Sequence, residues 1–160
     1  MRNLVKLQEA EACHAPVPLA ECTLARAVSV IGDAWVLLIL REAVYRIRRF
    51  EEMREDLGIP RTVLSERLNR LVDAGVLERV AYREPGRRTH HEYALTEGGR
   101  ALLPALTALR EWAEAHLPGG PSALELRHRC GGRLHARLVC ERSHVVEDMN
   151  EVELIVEPDR

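Results

Sequence analysis

Apolar residues recur with a helical period in the first half of the chain. From Cys22 to Ile31 every third or fourth residue is apolar, and Gly32 ends the run. The next segment, DAWVLLILREAVYR, begins at Asp33, a suitable N-cap, and is apolar almost all round. A helix of that kind is buried in a core or between subunits. The pattern therefore predicts an amphipathic helix followed by a buried one.

Two shorter helices are predicted next, FEEMREDLG and PRTVLSERLNRLVDAG. The first ends at Gly58, and the second has Pro60 near its first turn and closes on Gly75. In the second helix one face is apolar: Leu64, Leu68, Leu71 and Val72. The opposite face carries short polar or charged side chains: Thr62, Ser65, Glu66 and Asn69. Such a helix can pack on a core and offer its polar face to a partner.

Two alternating segments follow, VLERVAYRE and THHEYALT, joined by the turn sequence PGRR. They predict a β-hairpin with a basic tip. Thr96 then caps a long amphipathic segment, EGGRALLPALTALREWAEAHL, in which Pro104 either kinks the helix or marks its true first turn. Its apolar stripe consists of Leu102, Leu106, Leu109 and Ala113.

The ends of the chain have a different character. Residues 1–20 contain two prolines and are predicted to form a loose arm, residues 21–117 one domain, and PGGPS at 118–122 a linker. Residues 123–160 are predicted to form a small β-rich extension, a hairpin of ALELRHRC and RLHARLVC around Gly131 and Gly132, with VELIV as a third strand. That hairpin would place Cys130 and Cys140 at opposite ends, too far apart for one zinc ion or a disulfide.

Composition places limits on the class of protein. The composition, 46% hydrophobic and 30% charged, favours a soluble globular protein, and 160 residues suffice for one domain with a substantial core or for one domain with a small appendage. No apolar run is long enough to span a bilayer, and the N-terminus lacks the apolar block of a signal peptide, so a cytoplasmic protein is expected. In that compartment the four scattered cysteines are expected to be free thiols. The net charge of −2 gives no global sign of nucleic-acid binding, but RIRRF and RVAYREPGRRTHH are locally basic.

The order of these elements is that of an α+β winged helix-turn-helix, whose second paired helix enters the DNA major groove. Thr62, Ser65 and Asn69 have the size to reach bases or phosphates, with Arg61 at the entering end. Glu66 is either a cytosine reader or, as we favour, the ion-pair partner of Arg70. The remaining candidate DNA contacts come from the two basic clusters: Arg49, Arg87, Arg88 and His90.

Four blocks, CTLARAVSVIGDAWVLLILREAV, RRFEEM, LSERLNRLVDAGVLERVAY and HEYALTEGGRALLPALTALREWA, resemble the HxlR family of bacterial winged-helix regulators, relatives of the MarR group. The resemblance covers Cys22 to about Leu117. It implies a transcriptional regulator, taken here as a repressor, that pairs as a homodimer through its terminal helices and binds a palindromic double-stranded DNA operator. Two features depart from the family pattern. Arg46 stands where a glycine is usual, and the wing is longer.

Two kinds of signal are considered for such a regulator. The resemblance implies that Cys22, at the start of the first helix, could sense oxidants or electrophiles, with Cys13 as a resolving thiol; the alternative is a small buried apolar residue at a dimer interface. A small-molecule effector would bind near Trp35, Tyr45 and Trp112, although large aromatic residues there are more often core. No cofactor and no catalytic activity are expected, because nucleotide and nucleophile motifs are absent from the sequence.

Two other function classes remain open. A zinc enzyme or metalloregulator would use the soft ligands of the extension: His128, Cys130, Cys140 and His144. A protein-interaction module that has lost DNA binding is the other alternative, and the arginine-rich wing argues against it.

Overall fold

A computed structural model of the chain describes residues 5–6, 17–83 and 89–156. The described residues form two compact units. The larger unit is residues 27–136, and the smaller one combines the described parts of 1–26 and 137–160. The helices and strands are, in chain order, β1 (Val5–Lys6), α1 (Thr23–Ile31), α2 (Ala34–Val44), α3 (Phe50–Leu57), α4 (Arg61–Asp73), β2 (Leu77–Arg83), β3 (Thr89–Leu95), α5 (Glu97–Arg100), α6 (Leu103–His116), the 3₁₀ turn Met149–Glu151 and β4 (Ile155–Val156).

The core of the larger unit lies between α2, α3, α4 and the start of β2. The helix that is apolar nearly all round, α2, is buried through Val36, Ile39 and Leu40, as its pattern predicts. The predicted apolar face of α4 is also buried, with Leu64, Leu68 and Leu71 fully inaccessible. The remaining core residues are Ala43, Met53, Ile59 and Leu77. The fold is therefore held by the faces that the sequence pattern marks as apolar.

The end of α2 shows how the chain turns without the glycine that is usual there. The N–H of Ile47 donates to the carbonyl of Glu42 at 3.0 Å, and the N–H of Arg46 donates to that of Ala43 at 3.1 Å, the bonding pattern of a Schellman cap. Arg46 has a φ of 66°, in the left-handed region that disfavours side chains. The departure of Arg46 from the family pattern is thus accommodated with local backbone strain.

The predicted hairpin is confirmed as β2 and β3, which pair in an antiparallel register from Leu77 opposite Leu95 to Arg83 opposite Thr89. The segment before α3 adds a short third edge, because Arg49 forms a bridge with Glu92, and the N–H of Tyr93 donates to the carbonyl of Arg48 at 2.9 Å. These backbone contacts fix the basic stretch before α3 against the middle of β3.

The segment after the wing is two helices rather than one. The hydroxyl of Thr96 accepts a hydrogen bond from the N–H of Gly99 at 3.0 Å and so caps α5. Gly99 packs so closely that an added Cβ would lie 2.2 Å from the carbonyl oxygen of Val76. Pro104 lies in the first turn of α6, which is one of its two predicted roles. The predicted apolar stripe is only partly covered, because Leu109 is 53% exposed.

The extension differs from the predicted single hairpin. In the larger unit the N–H of His128 donates to the carbonyl of Gly132, and that of Leu134 to Leu126, both at 2.9 Å. The hairpin is therefore short and ends near Leu134, instead of running to Cys140. Cys130 lies within the turn, so its predicted place opposite Arg133 is wrong; Arg133 pairs with Arg127.

A second turn of the same form lies in the smaller unit. The N–H of Cys140 donates to the carbonyl of His144 at 3.0 Å, and that of Ser143 to Cys140 at 2.9 Å. Gly131 and Ser143 occupy corresponding positions of the two turns, with φ of 90° and 64°. The predicted pairing of Cys140 with the strand at residues 123–130 is therefore wrong, because Cys140 opens a turn of its own. The third predicted strand is reduced to Ile155–Val156, which pairs with Val5–Lys6.

Two structural features bear on the other classes of protein, the metal proteins and the membrane proteins. Within residues 5–6, 17–83 and 89–156, no three His, Cys, Asp or Glu side chains converge as metal ligands would. No single helix among the same residues is long and apolar enough to cross a membrane.

Candidate DNA-binding surface

The polar face of α4, opposite its buried leucines, carries the side chains that the sequence predicts to contact a partner. Thr62, Glu66 and Asn69 are exposed and Ser65 is half-buried, on the face opposite the buried leucines. Residues three or four apart lie on one side of a helix, so these four form a continuous row along it. Pro60 precedes the helix in an extended conformation, with φ −60° and ψ 139°. Because Leu64, Leu68 and Leu71 are fixed in the core, the row of polar side chains on the opposite face points to solvent.

Arg61 lies at the N-terminal end of this row and is 71% exposed. Its guanidinium pairs with the carboxylate of Glu51 on α3 and lies 5.1 Å from the centroid of the Phe50 ring. Glu51 also accepts a hydrogen bond from Arg54 at 2.7 Å. The hydrogen bonds from Arg54 and then Arg61 hold the pKa of Glu51 below its ordinary value. Glu51 is therefore ionised at neutral pH and binds both arginines.

Arg49 and His90 come together through Tyr82, near the tip end of the wing strands. The Arg49 guanidinium lies 4.8 Å from the centroid of the Tyr82 ring, and the His90 ring centroid is 5.8 Å from the same ring. Glu52 lies 3.8 Å from Arg49. A cleft of about 440 Å³ is lined by these side chains together with Phe50, Glu51, Arg61 and His91. Three predicted site residues, Arg49, Arg61 and His90, thus border one cleft.

At the other end of the row, Asn69 is engaged by a residue absent from the predicted set. The guanidinium of Arg79, on β2, donates to the amide oxygen of Asn69. Arg79 is the first residue of the basic cluster RVAYREPGRRTHH. Its membership in that cluster is the feature of the sequence that could have identified it as a site residue. Its exposed cation extends the basic surface from α4 to the wing strand.

The predicted ion pair between Glu66 and Arg70 is wrong. Glu66 pairs with Arg67 at 3.3 Å, and Arg70 donates to the backbone carbonyl of Ser29. Arg67 also pairs with Asp33, the N-cap of α2, at 3.1 Å. The hydrogen bond from Arg67 is the main reason why the pKa of Asp33 lies below its ordinary value. Arg67 thus ties α4 to the start of α2, and Arg70 ties it to α1.

Other predicted site residues lie elsewhere. Arg87 and Arg88, with the PGRR turn, fall outside the described residues, as does Cys13. Cys22 belongs to the smaller unit, where it is a half-buried free thiol directly before α1. Its carbonyl accepts a hydrogen bond from the N–H of Arg26 at 3.1 Å, so it opens the first turn of that helix.

The architecture and this surface can be compared with known proteins. Residues 30–120 match the family model described as the HxlR-like helix-turn-helix. The chain belongs to the HxlR family. The match spans α2 to α6 and therefore includes every element that builds the candidate surface.

Relatives and solved structures agree with the family. The uncharacterised helix-turn-helix regulator Mb3122 of Mycobacterium bovis is 42% identical over 135 residues, which cover 83% of each chain. PA1607, described as a candidate transcription factor, is 35% identical with a TM-score of 0.57, covering 81% of this chain and 96% of that one. The redox regulator HypR in its reduced form is 26% identical with a TM-score of 0.54, covering 61% and 95%.

Membership in the HxlR family identifies the chain as a transcriptional regulator with a winged helix-turn-helix. Proteins of this kind act by binding DNA rather than by catalysis. The family model covers the wing and α4 but stops at residue 120, before the two turns of the extension.

Proposed function

We propose that this protein is a sequence-specific DNA-binding repressor that acts in the cytoplasm as a homodimer, with α4 in the major groove. The observation that carries the proposal is the outward row of Thr62, Ser65, Glu66 and Asn69 on a helix anchored by three buried leucines. Side chains of this size read base edges when a rigid helix holds them in the groove.

The charged residues around this row supply the phosphate contacts in the proposal. Arg61 and Arg79 flank the two ends of the row, and Arg49 and His90 meet near the tip end of the wing strands. Arg87 and Arg88, which the sequence places at the wing tip, complete the set. Contacts of this kind are independent of DNA sequence. They weaken as the salt concentration rises, because the release of counterions from the DNA then gains less entropy.

A gel-shift series on the promoter beside the protein's own gene tests DNA binding. Binding is expected to prefer that fragment over scrambled DNA and to weaken steeply between 50 and 200 mM salt, as is typical of proteins with several phosphate contacts. Arg61→Ala is expected to reduce affinity, whereas Arg129→Ala, an exposed arginine in the extension's first turn, should not. Binding that neither prefers the promoter nor depends on salt would rule out the proposal.

Dimer formation is supported by uncovered apolar side chains on the larger unit. Val28, Leu109 and Trp112 are each more than half exposed, and an exposed tryptophan beside an exposed leucine is typical of an interface. A two-fold dimer would read a palindrome with half-sites about one helical turn apart. Light scattering is expected to give twice the chain mass for the wild type and the chain mass for Trp112→Glu, while a monomeric wild type would overturn this part.

We propose that the protein represses transcription, because a dimer bound across a promoter blocks access of RNA polymerase. Deletion of the gene is expected to raise expression from the bound promoter in a reporter strain. A fall in expression would instead identify an activator.

A redox response through Cys22 is a second proposal, supported by the half-buried thiol at the start of α1 and by the likeness to HypR, a redox regulator. Diamide is expected to change operator affinity of the wild type but not of Cys22→Ser. The same change of operator affinity in both proteins would contradict a sensing role and favour the alternative, in which Cys22 is a small packed apolar residue.

We also propose that DNA binding resides in residues 21–117, with a linker at 118–122 and the extension at 123–160. Limited proteolysis is expected to cut first at residues 118–122, and early cleavage inside residues 21–117 would contradict these boundaries.

A further inference from the structure

A mainly apolar cavity of about 430 Å³ lies in the larger unit between α2 and α6. Its volume is within the range of small-molecule sites. Its apolar walls include Leu38, Tyr45, Leu103, Leu106, Ala113 and Leu126. Tyr45 was predicted to border an effector site, but Trp35 and Trp112, predicted with it, are not among the lining residues. The wall formed by Leu126 comes from the extension, so the segment after the linker helps to build the cavity.

Two arginines provide the charge of this cavity. Arg110, on α6, is 24% exposed, and its Nη1 pairs with Glu114 at 3.3 Å. Its Nε is buried and has no hydrogen-bond partner within the described part of the chain. Arg41, on α2, also lines the cavity and is held by Glu42 and, at 4.8 Å, by the ring of Tyr45.

Thr107 and Ser122 also line the wall, and the hydroxyl of each already forms a hydrogen bond, that of Ser122 by accepting from the N–H of Leu124 at 3.2 Å. The hydroxyl of Thr107 is buried and donates to the carbonyl of Leu103 at 2.8 Å. The cavity therefore combines apolar walls with the cationic side chains of Arg41 and Arg110, and a ligand that fits it needs an apolar body and an acceptor group. An anionic oxygen on an apolar body matches both requirements.

We propose that this cavity binds a small carboxylic acid with an aromatic or branched apolar body, whose carboxylate is held by Arg110. The acid serves as an effector of the DNA-binding regulator, and this second statement rests on the proposed function. The route to DNA is short, because α2 forms one wall of the cavity and packs against α4 in the core. A ligand that shifts α2 would also shift the polar row on α4.

Calorimetry on the full chain without DNA tests the binding site. The probes are 3-phenylpropionate and its uncharged analogue 3-phenylpropanamide. The wild type is expected to bind the acid at least 10-fold more tightly than the amide. Arg110→Met should abolish that preference, and the matched control Arg129→Met should retain it. Equal affinity for acid and amide, or no binding of either, overturns the proposed site.

A second variant separates ligand binding from folding and from assembly. Leu106→Trp fills the cavity and is expected to abolish binding of both probes while keeping the cooperative thermal transition. Light scattering of the same variant reports whether a second copy of the chain covers the cavity instead. Loss of the dimer in Leu106→Trp, with no probe binding to the wild type, would assign the cavity to the subunit interface and overturn the proposal.

Gel shifts with 3-phenylpropionate test the effector role. Operator affinity of the wild type is expected to change at least 5-fold at saturating acid, with no change for Arg110→Met. Acid binding without any change in operator affinity overturns the effector role, whereas failure of the protein to bind DNA at all is a failure of the proposed function alone.

Discussion

The carboxylate of Glu51 holds the guanidinium of Arg61 at the start of α4, ten residues further along the chain. The same carboxylate binds Arg54, so one anion compensates two cations on the surface proposed to meet DNA. A phosphate that approaches Arg61 must compete with Glu51 and is repelled by it. Glu51 therefore limits affinity in the proposed complex.

Replacement of this anion is expected to strengthen DNA binding. Glu51→Gln should raise operator affinity by about 3- to 10-fold at low salt, because it removes the repulsion and frees Arg61. Fluorescence anisotropy with labelled operator measures the change. Glu55→Gln on the same helix alters the net charge equally and serves as control. A comparable gain in both variants would show a net-charge effect and contradict the specific role of Glu51.

Asn69 and Arg79 are expected to act as a unit on DNA. Alanine at either position should lower operator affinity by roughly 5- to 100-fold, the usual cost of a lost base or charged contact. The double variant should lose less than the product of the single losses, because their hydrogen bond joins them. Fully multiplicative losses in a double-mutant cycle would show that the two side chains act independently.

Arg46→Gly is expected to stabilise the fold by about 1 kcal/mol. The residue has a φ of 66°, where glycine avoids the steric cost of a side chain. Urea denaturation measures the change. Gly75→Ala is the matched opposite case, since Gly75 has a φ of 69° in the same type of cap after α4 and should lose about as much. A destabilised Arg46→Gly would mean that the arginine side chain makes a larger compensating contribution.

Leu64→Ala and Thr62→Ala should separate folding from DNA binding on α4. Leu64 is fully buried, and its truncation is expected to cost about 2–5 kcal/mol of unfolding free energy. Thr62 is exposed, so its truncation should leave stability nearly unchanged and reduce operator affinity. Thermal melts and gel shifts of the two variants provide the comparison. Unchanged operator affinity of Thr62→Ala would remove that residue from the proposed reading face.

Glu42 should make stability depend on pH. Its side chain is 1% exposed, and burial raises its pKa above the ordinary value despite the neighbouring Arg41. A raised carboxyl pKa favours the protonated form in the folded state. This contribution to stability is complete below the unfolded-state pKa and is lost as pH rises through the folded-state pKa.

The test compares the wild type with Glu42→Gln from pH 4 to pH 8. The variant is expected to gain stability relative to the wild type as pH rises, since glutamine has no proton to lose. Urea midpoints at each pH measure the difference. A stability difference between the two proteins that stays constant from pH 4 to pH 8 would show that the pKa of Glu42 is the same in the folded and unfolded states.

Local periodicity was sufficient to predict most of the DNA-binding unit. The leucines of α4 recur every three or four residues, so its buried back and polar front follow from the sequence. The alternation around PGRR likewise predicts the wing strands, and the first-turn position of Pro104 in α6 is one of the two roles that the sequence allows. These features depend on contacts between near neighbours in the chain, which is why the pattern alone reveals them.

The extension could not be predicted in the same way. Alternation of apolar and polar residues favoured one long hairpin, yet the chain forms two short turns, each closed by its own backbone hydrogen bonds. Most side chains there are exposed, so little burial is available to enforce the long register. The two short turns, with positive φ at Gly131 and Ser143, therefore form in place of the long hairpin.

The sequence by itself determined the buried faces of α2 and α4, the positions where these two helices begin and end, and the family to which the chain belongs. Tertiary structure alone decided the partners of the long charged side chains: Glu51 with Arg61, Arg79 with Asn69, and Glu66 with Arg67 instead of Arg70. It also decided that Arg110 borders an apolar cavity. Flexible side chains select among all the groups that the fold brings within reach, and spacing along the chain does not specify that choice.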